Sequence, residues 1–141
     1  MFELSDYVIK FDHTAIGVPN IQDALPLYRD LLGGKEIGSG FVPQKGFQAL
    51  QLEYPNGSKI ELIAPAGENS FMHKFLRERG SGVHHLTFIV KNIEQCVAHL
   101  RGLGYRVVDE DYSNPGWREA FVSPLSANGT IVQLAESDRT A

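Results

Sequence analysis

The sequence predicts an α+β fold built from two tandem βαβββ modules, and three observations carry that expectation. The first is an internal repeat. Shifted by 72 positions, the 141-residue chain aligns Phe11–Gly67 with Val83–Arg139 without a gap, and ten of the 57 aligned pairs are identical. The identities fall on structural punctuation, among them His13 with His85, Asn20 with Asn92, Pro43 with Pro115 and Gly57 with Gly129. The second is that each copy opens on a run rich in β-branched and aromatic residues, FDHTAIGV and VHHLTFIV, soon followed by an Asn able to cap a helix. The third is an Asn-Gly pair late in each copy, whose tolerance of positive φ suits a tight turn between strands.

The elements follow in order. Module 1 covers about residues 8–66. After its first strand, Asn20 precedes IQDALPLYRDLL, with Asp23 at the third helical position in the pattern of a capping box. Pro26 lacks the amide proton that a second turn needs, so a kink or a shifted start is expected there, and Gly33-Gly34 end the helix. Strands are expected over Lys35–Gly38, Phe47–Tyr54 and Lys59–Ile63, the last two joined through Asn56-Gly57. A linking helix over about 69–79 takes Asn69 or Ser70 as cap and Gly80 as stop. Module 2, about 82–136, repeats the pattern: Asn92 and Gln95 cap IEQCVAHLRGL, Gly104 ends it, and strands run over Arg106–Asp109, Arg118–Ser123 and Thr130–Leu134.

Composition narrows the class of function. A chain that is 43% hydrophobic and 21% charged has the balance of an ordinary globular protein and enough length to bury one core, so residues 1–141 read as one domain. The net charge of -4 offers no basic footprint for nucleic acid. No apolar run approaches signal or membrane-span length, and a lone cysteine, Cys96, permits no internal disulfide; a cytoplasmic protein is expected.

Strand alternation then sorts the chemistry-bearing residues. In FDHTAIGV, His13 shares a face with Phe11, Ala15 and Gly17. The repeat puts His85 in the place of His13 and His84 in the place of Asp12, so the adjacent pair His84-His85 separates into one residue per face. KIELI and IVQLA place Glu61 and Gln133 at equivalent positions, 48 residues beyond His13 and His85 respectively. Two modules related by a pseudo-twofold would bring one imidazole and one carboxylate or amide from each into a shared cleft, a mixed nitrogen and oxygen set suited to a divalent metal. Glu61, flanked by Ile60 and Leu62, is costly to bury unless a cation neutralises it.

On FDHTAIGV, ALPLYRDLLG, NGSKIELIAP, KFLRERG and GVHHLTFIV the chain resembles the vicinal oxygen chelate superfamily, which groups glyoxalases, bleomycin-resistance proteins and extradiol dioxygenases. Its nearest branch is that of the methylmalonyl-CoA epimerases. The resemblance implies an eight-stranded, U-shaped, incompletely closed sheet around one cleft, one divalent ion (Co, Ni, Zn, Mn or Fe) and a homodimer. It implies His13, Glu61, His85 and Gln133 as ligands, with Gln133 standing where the epimerases carry a glutamate that is also a base. A second epimerase glutamate belongs to a Pro-Glu-x-Gly stretch, which here reads VPQKG and presents Gln44.

An amide binds metal through its carbonyl oxygen but has no proton-accepting state near neutral pH, which leaves Glu61 as the expected catalytic base. The function expected is a metal-dependent isomerase or lyase that stabilises an enolate or enediolate of a carbonyl compound or acyl thioester, such as a CoA or glutathione thioester. The alternatives are an Fe(II) extradiol-type dioxygenase, on the set of two histidines and a carboxylate, and a binding protein of the resistance type that performs no chemistry. Phe47, Tyr54, Trp117 and Arg118 are candidates, with Gln44, for lining the substrate cleft. Glu119 is a candidate to enter it, in a stretch where the two copies align better with a local shift.

Overall fold

Strand β1, Val8–Gly17, leads through Asn20 into helix α1, Ile21–Leu25, and the Asn20 side chain accepts a hydrogen bond from the Gln22 amide at 2.8 Å. Pro26 has the effect its chemistry dictates. With no N–H to donate, it marks the point where the helix widens into a π-helical segment, Pro26–Leu31, closed by Leu32 N–H on the Leu27 carbonyl. This computed structural model describes residues 2–42 and 46–138, so Gln44 lies outside the described residues. Strands β2, Lys35–Val42, β3, Phe47–Glu53, and β4, Lys59–Pro65, follow, each of the three beginning at or close to its expected start. Asn56 and Gly57 both take positive φ in the β3–β4 link. Helix α2, Phe71–Arg79, is capped by the Ser70 hydroxyl, which accepts from Met72 N–H, and ends at Gly80.

The second copy comprises β5, Gly82–Val90, α3, Ile93–Gly102, β6, Val107–Asp111, β7, Trp117–Val122, and β8, Ile131–Ser137. The eight expected strands are all present. The capping box expected at Asn92 is not. Asn92 is left-handed (φ 50°) and its side chain makes no capping bond; the Ile93 N–H instead donates to the Glu136 carboxylate at 3.0 Å. A carboxylate brought from β8 supplies the negative end that the helix start favours, so the local cap is dispensable.

The chain divides into two compact units, one of residues His13–His84 and one of the chain up to Asp12 with residues from His85 onward. Within the first, the strand order is β2-β3-β4-β1, with β1 parallel to β4 and the others antiparallel. Within the second it is β5-β8-β7-β6, with β5 parallel to β8. The repeat is exact in this register: Ala15 pairs with Glu61 and Thr87 with Gln133, and 87 - 15 and 133 - 61 are both 72. Each unit has its own core. In the first, Ile21, Leu25, Leu50, Leu52 and Leu62 pack as α1 covers its sheet, and Ala15, Ile63 and Met72 form a smaller cluster where α2 packs. In the second, Ile93, Cys96, Val97 and Leu100 on the inner face of α3 pack with Val90 and Leu134 of the sheet. Among the described residues no helix is long and apolar enough to cross a membrane.

Candidate functional site

In the first unit β1 and β4 run side by side, and their register sets His13 and Glu61 on one face. His13 is 3% exposed, and its Nε2 lies 3.5 Å from Glu61 Oε1. Gln51, which pairs with Glu61 across β3 and β4, donates from its amide nitrogen to Glu61 Oε2 at 3.1 Å. One imidazole nitrogen and one oriented carboxylate therefore meet in a place largely withdrawn from water. Nearby charges act more strongly there than they would in solvent.

In the second unit the corresponding residues are His85, buried against the edge of Phe121 at 6.5 Å, and Gln133, 6% exposed. The Gln133 carbonyl oxygen accepts from the Thr87 hydroxyl at 2.6 Å, and its amide nitrogen donates to Glu119 Oε1 at 3.1 Å. Because an ionised carboxylate only accepts, Glu119 dictates which end of the amide faces it. The same Glu119 oxygen accepts from the Trp117 indole N–H at 2.8 Å, and Glu119 is 6% exposed. Thr87 and His85 are two apart on β5, so His85, Thr87, Gln133 and Glu119 share one face. Glu119, whose register the sequence left open, thus stands beside Gln133.

His84 points the other way. It is packed beneath α2, its ring centroid 4.7 Å from that of Phe75 and 5.8 Å from that of Phe71. Burial, helped by the Arg79 charge and opposed by Glu61, lowers its pKa to about 4, so the ring is neutral. Of the candidate lining residues, Phe47 packs edge-on against Phe71 and Tyr54 donates its hydroxyl to the Tyr28 carbonyl at 2.7 Å. Arg118 pairs with Glu136 at 2.6 Å, on the opposite face of β7 from Trp117 and Glu119. A cleft of about 990 Å³ in the first unit is lined by Asn20, Gln22, Arg29, Glu36 and Gln48, among others, and not by His13 or Glu61.

Comparison with known proteins finds relatives that match most of the chain. The model of the Glyoxalase/Bleomycin resistance protein/Dioxygenase superfamily matches residues 12–121. The chain is 31% identical over 130 residues to the mitochondrial methylmalonyl-CoA epimerase of Dictyostelium discoideum, covering 90% of this chain and 78% of that protein. It is 30% identical over 131 residues to the ethylmalonyl-CoA/methylmalonyl-CoA epimerase of Cereibacter sphaeroides, at 90% and 97% coverage. The crystal structure of methylmalonyl-CoA epimerase from Mycobacterium tuberculosis superposes with a TM-score of 0.82 at 29% identity, covering 93% of this chain and 89% of that one. At that coverage the α+β architecture is the one those epimerases have, and the chain belongs to the glyoxalase/bleomycin resistance protein/dioxygenase superfamily.

Proposed function

We propose that this protein is a divalent-metal-dependent isomerase that epimerises the α-carbon of a malonyl-type acyl-CoA thioester, with His13, Glu61 and His85 as the protein ligands of the ion. The observation that carries the reading is the pairing of buried His13 with partly buried Glu61, each on its own strand, in a chain whose relatives include methylmalonyl-CoA epimerases. The donor set fits the ion: imidazole nitrogen with carboxylate oxygen suits zinc, cobalt, nickel, manganese or iron, and the ion would neutralise a carboxylate that is otherwise expensive to shield from water. His85 enters the set as the repeat partner of His13. Gln133, whose carbonyl oxygen accepts from Thr87 and keeps a second lone pair, is the fourth candidate ligand.

When bound, the ion polarises the thioester carbonyl and lowers the energy of negative charge on its oxygen. Glu61 accepts the α-proton, and the Gln51 amide fixes the direction in which its carboxylate points. The protein, saturated with Co(II) or Zn(II), should wash deuterium from D2O into the α-position of methylmalonyl-CoA. Glu61→Gln should slow that exchange by about 100-fold or more, and His13→Ala should lower the metal bound after gel filtration. Turnover that consumes oxygen and demands iron would establish the dioxygenase reading in its place.

A further inference from the structure

A neutral donor from the neighbouring strand makes the two oxygens of the Glu61 carboxylate unequal. Gln51 on β3 lies directly opposite Glu61 on β4 in an antiparallel pair, so its side chain starts from a backbone fixed beside that of Glu61. Its amide nitrogen donates to Oε2 at 3.1 Å, whereas Oε1 is the oxygen that lies 3.5 Å from His13 Nε2. An ionised carboxylate only accepts, so the nitrogen end of the amide is the end that must face it. The donor is also uncharged. A lysine or arginine in its place would orient the carboxylate and neutralise it together, and so compete with a cation for the same charge. An amide orients the group and leaves its negative charge in place. Module 2 follows the same plan with the polarity reversed: Gln133 on β8, the repeat partner of Glu61, donates to the Glu119 carboxylate on β7 at 3.1 Å. In each module the third strand holds the polar residue of the fourth.

From this geometry we infer that Gln51 is a positioning residue that sets metal selectivity: by engaging Oε2 it presents Glu61 as a ligand through Oε1, and so tunes the His13 and Glu61 pair to zinc or cobalt over manganese. The inference rests on the metal-site reading above and narrows the class of ion. Zinc is satisfied by about four donors and takes one oxygen from a carboxylate readily. Manganese belongs with the ions that suit a larger, oxygen-rich shell, in which a carboxylate can contribute both of its oxygens. Tying one oxygen to an amide therefore works against manganese more than against zinc. Gln51 acts through Glu61 and needs no contact with substrate.

The test uses the full chain, stripped with chelator and titrated separately with Zn(II), against a competing chromophoric chelator, and with Mn(II), whose free ion is read by electron paramagnetic resonance. Wild type is compared with Gln51→Met, which keeps most of the side chain's length and removes the donor. Wild type should bind zinc the more tightly, as nitrogen and oxygen sites do. Gln51→Met should weaken zinc by about 10- to 100-fold, the usual cost of losing the outer partner of a ligand. Manganese should stay within about threefold of wild type, because the released oxygen becomes an added donor for it. The zinc-to-manganese ratio should therefore narrow by about tenfold, whereas a loss of packing alone would weaken both ions alike. The urea midpoint of the metal-free protein reports whether the fold persists; should Gln51→Met lose its unfolding transition, Gln51→Asn, which withdraws the donor by one methylene, takes its place with the same direction expected. A ratio that is unchanged or widened in a folded variant overturns the role of Gln51 and leaves the metal-site reading standing. Wild-type protein that binds neither ion overturns that reading, and the role of Gln51 with it.

Discussion

Replacing His84 with Phe should remove one source of acid sensitivity and leave the rest of the pH profile in place. His84 lies 8% exposed between Phe71 and Phe75 under α2, and its pKa falls from 6.5 to about 4, chiefly by burial and secondarily through Arg79. The folded state therefore holds the ring neutral, while the unfolded chain takes up a proton once the pH falls below 6.5. The unfolded state binds more protons across the window from 6.5 down to 4, so stability drops as pH falls through it and levels off beneath it. A displacement of that size corresponds to about 3 kcal/mol at the acid end of the window, most of it already lost by pH 4.5. Urea unfolding of wild type and His84→Phe, both stripped with chelator, at pH 7, 5.5 and 4.5 measures the effect as a difference of differences, in which all other titrations cancel. The stability of the variant relative to wild type should rise steadily toward low pH. A relative stability that stays level from pH 7 to 4.5 would refute the argument, because it would mean that His84 titrates alike in folded and unfolded chains.

Two further outcomes follow from the cores. Cys96 is fully buried on the inner face of α3 and its thiol is pushed up to about 11, mainly by burial and then by Glu136, so in native protein it should react with a thiol reagent no faster than the chain opens, and at full rate in urea. Glu136 both caps α3 at Ile93 and pairs with Arg118; Glu136→Ala should cost about 1–2 kcal/mol in urea unfolding and selectively speed hydrogen exchange of the Ile93 amide.

Much of the candidate site is legible in the chain because strand periodicity and a 72-residue repeat act together. Alternation alone separates His84 from His85, and the repeat then ties His85 to His13 and Gln133 to Glu61; the pairing of Ala15 with Glu61 and Thr87 with Gln133 reproduces that offset. Glu119 was harder to place for a reason that the register makes plain. Gln51 faces Glu61, ten residues on, whereas Phe121 faces Gln133, twelve residues on. The facing residues of β7 and β8 are thus two residues further apart along the chain than those of β3 and β4, so β7 slides by two relative to the repeat. An even slip keeps the faces and changes the partners.

What the sequence by itself determined is local and periodic: the strands, the Asn20 cap and a cap at Asn69 or Ser70, the interruption at Pro26, and the face on which each histidine lies. These depend on neighbours within a few residues, whose stereochemistry is the same in any fold. Tertiary structure decided the rest. It replaced the Asn92 cap with a carboxylate from β8, enclosed His84 between two phenylalanines so that it stays neutral, and set Glu119 against Gln133. Each of those outcomes depends on which distant strand or helix comes to lie alongside, a question that packing and register answer and local chemistry does not.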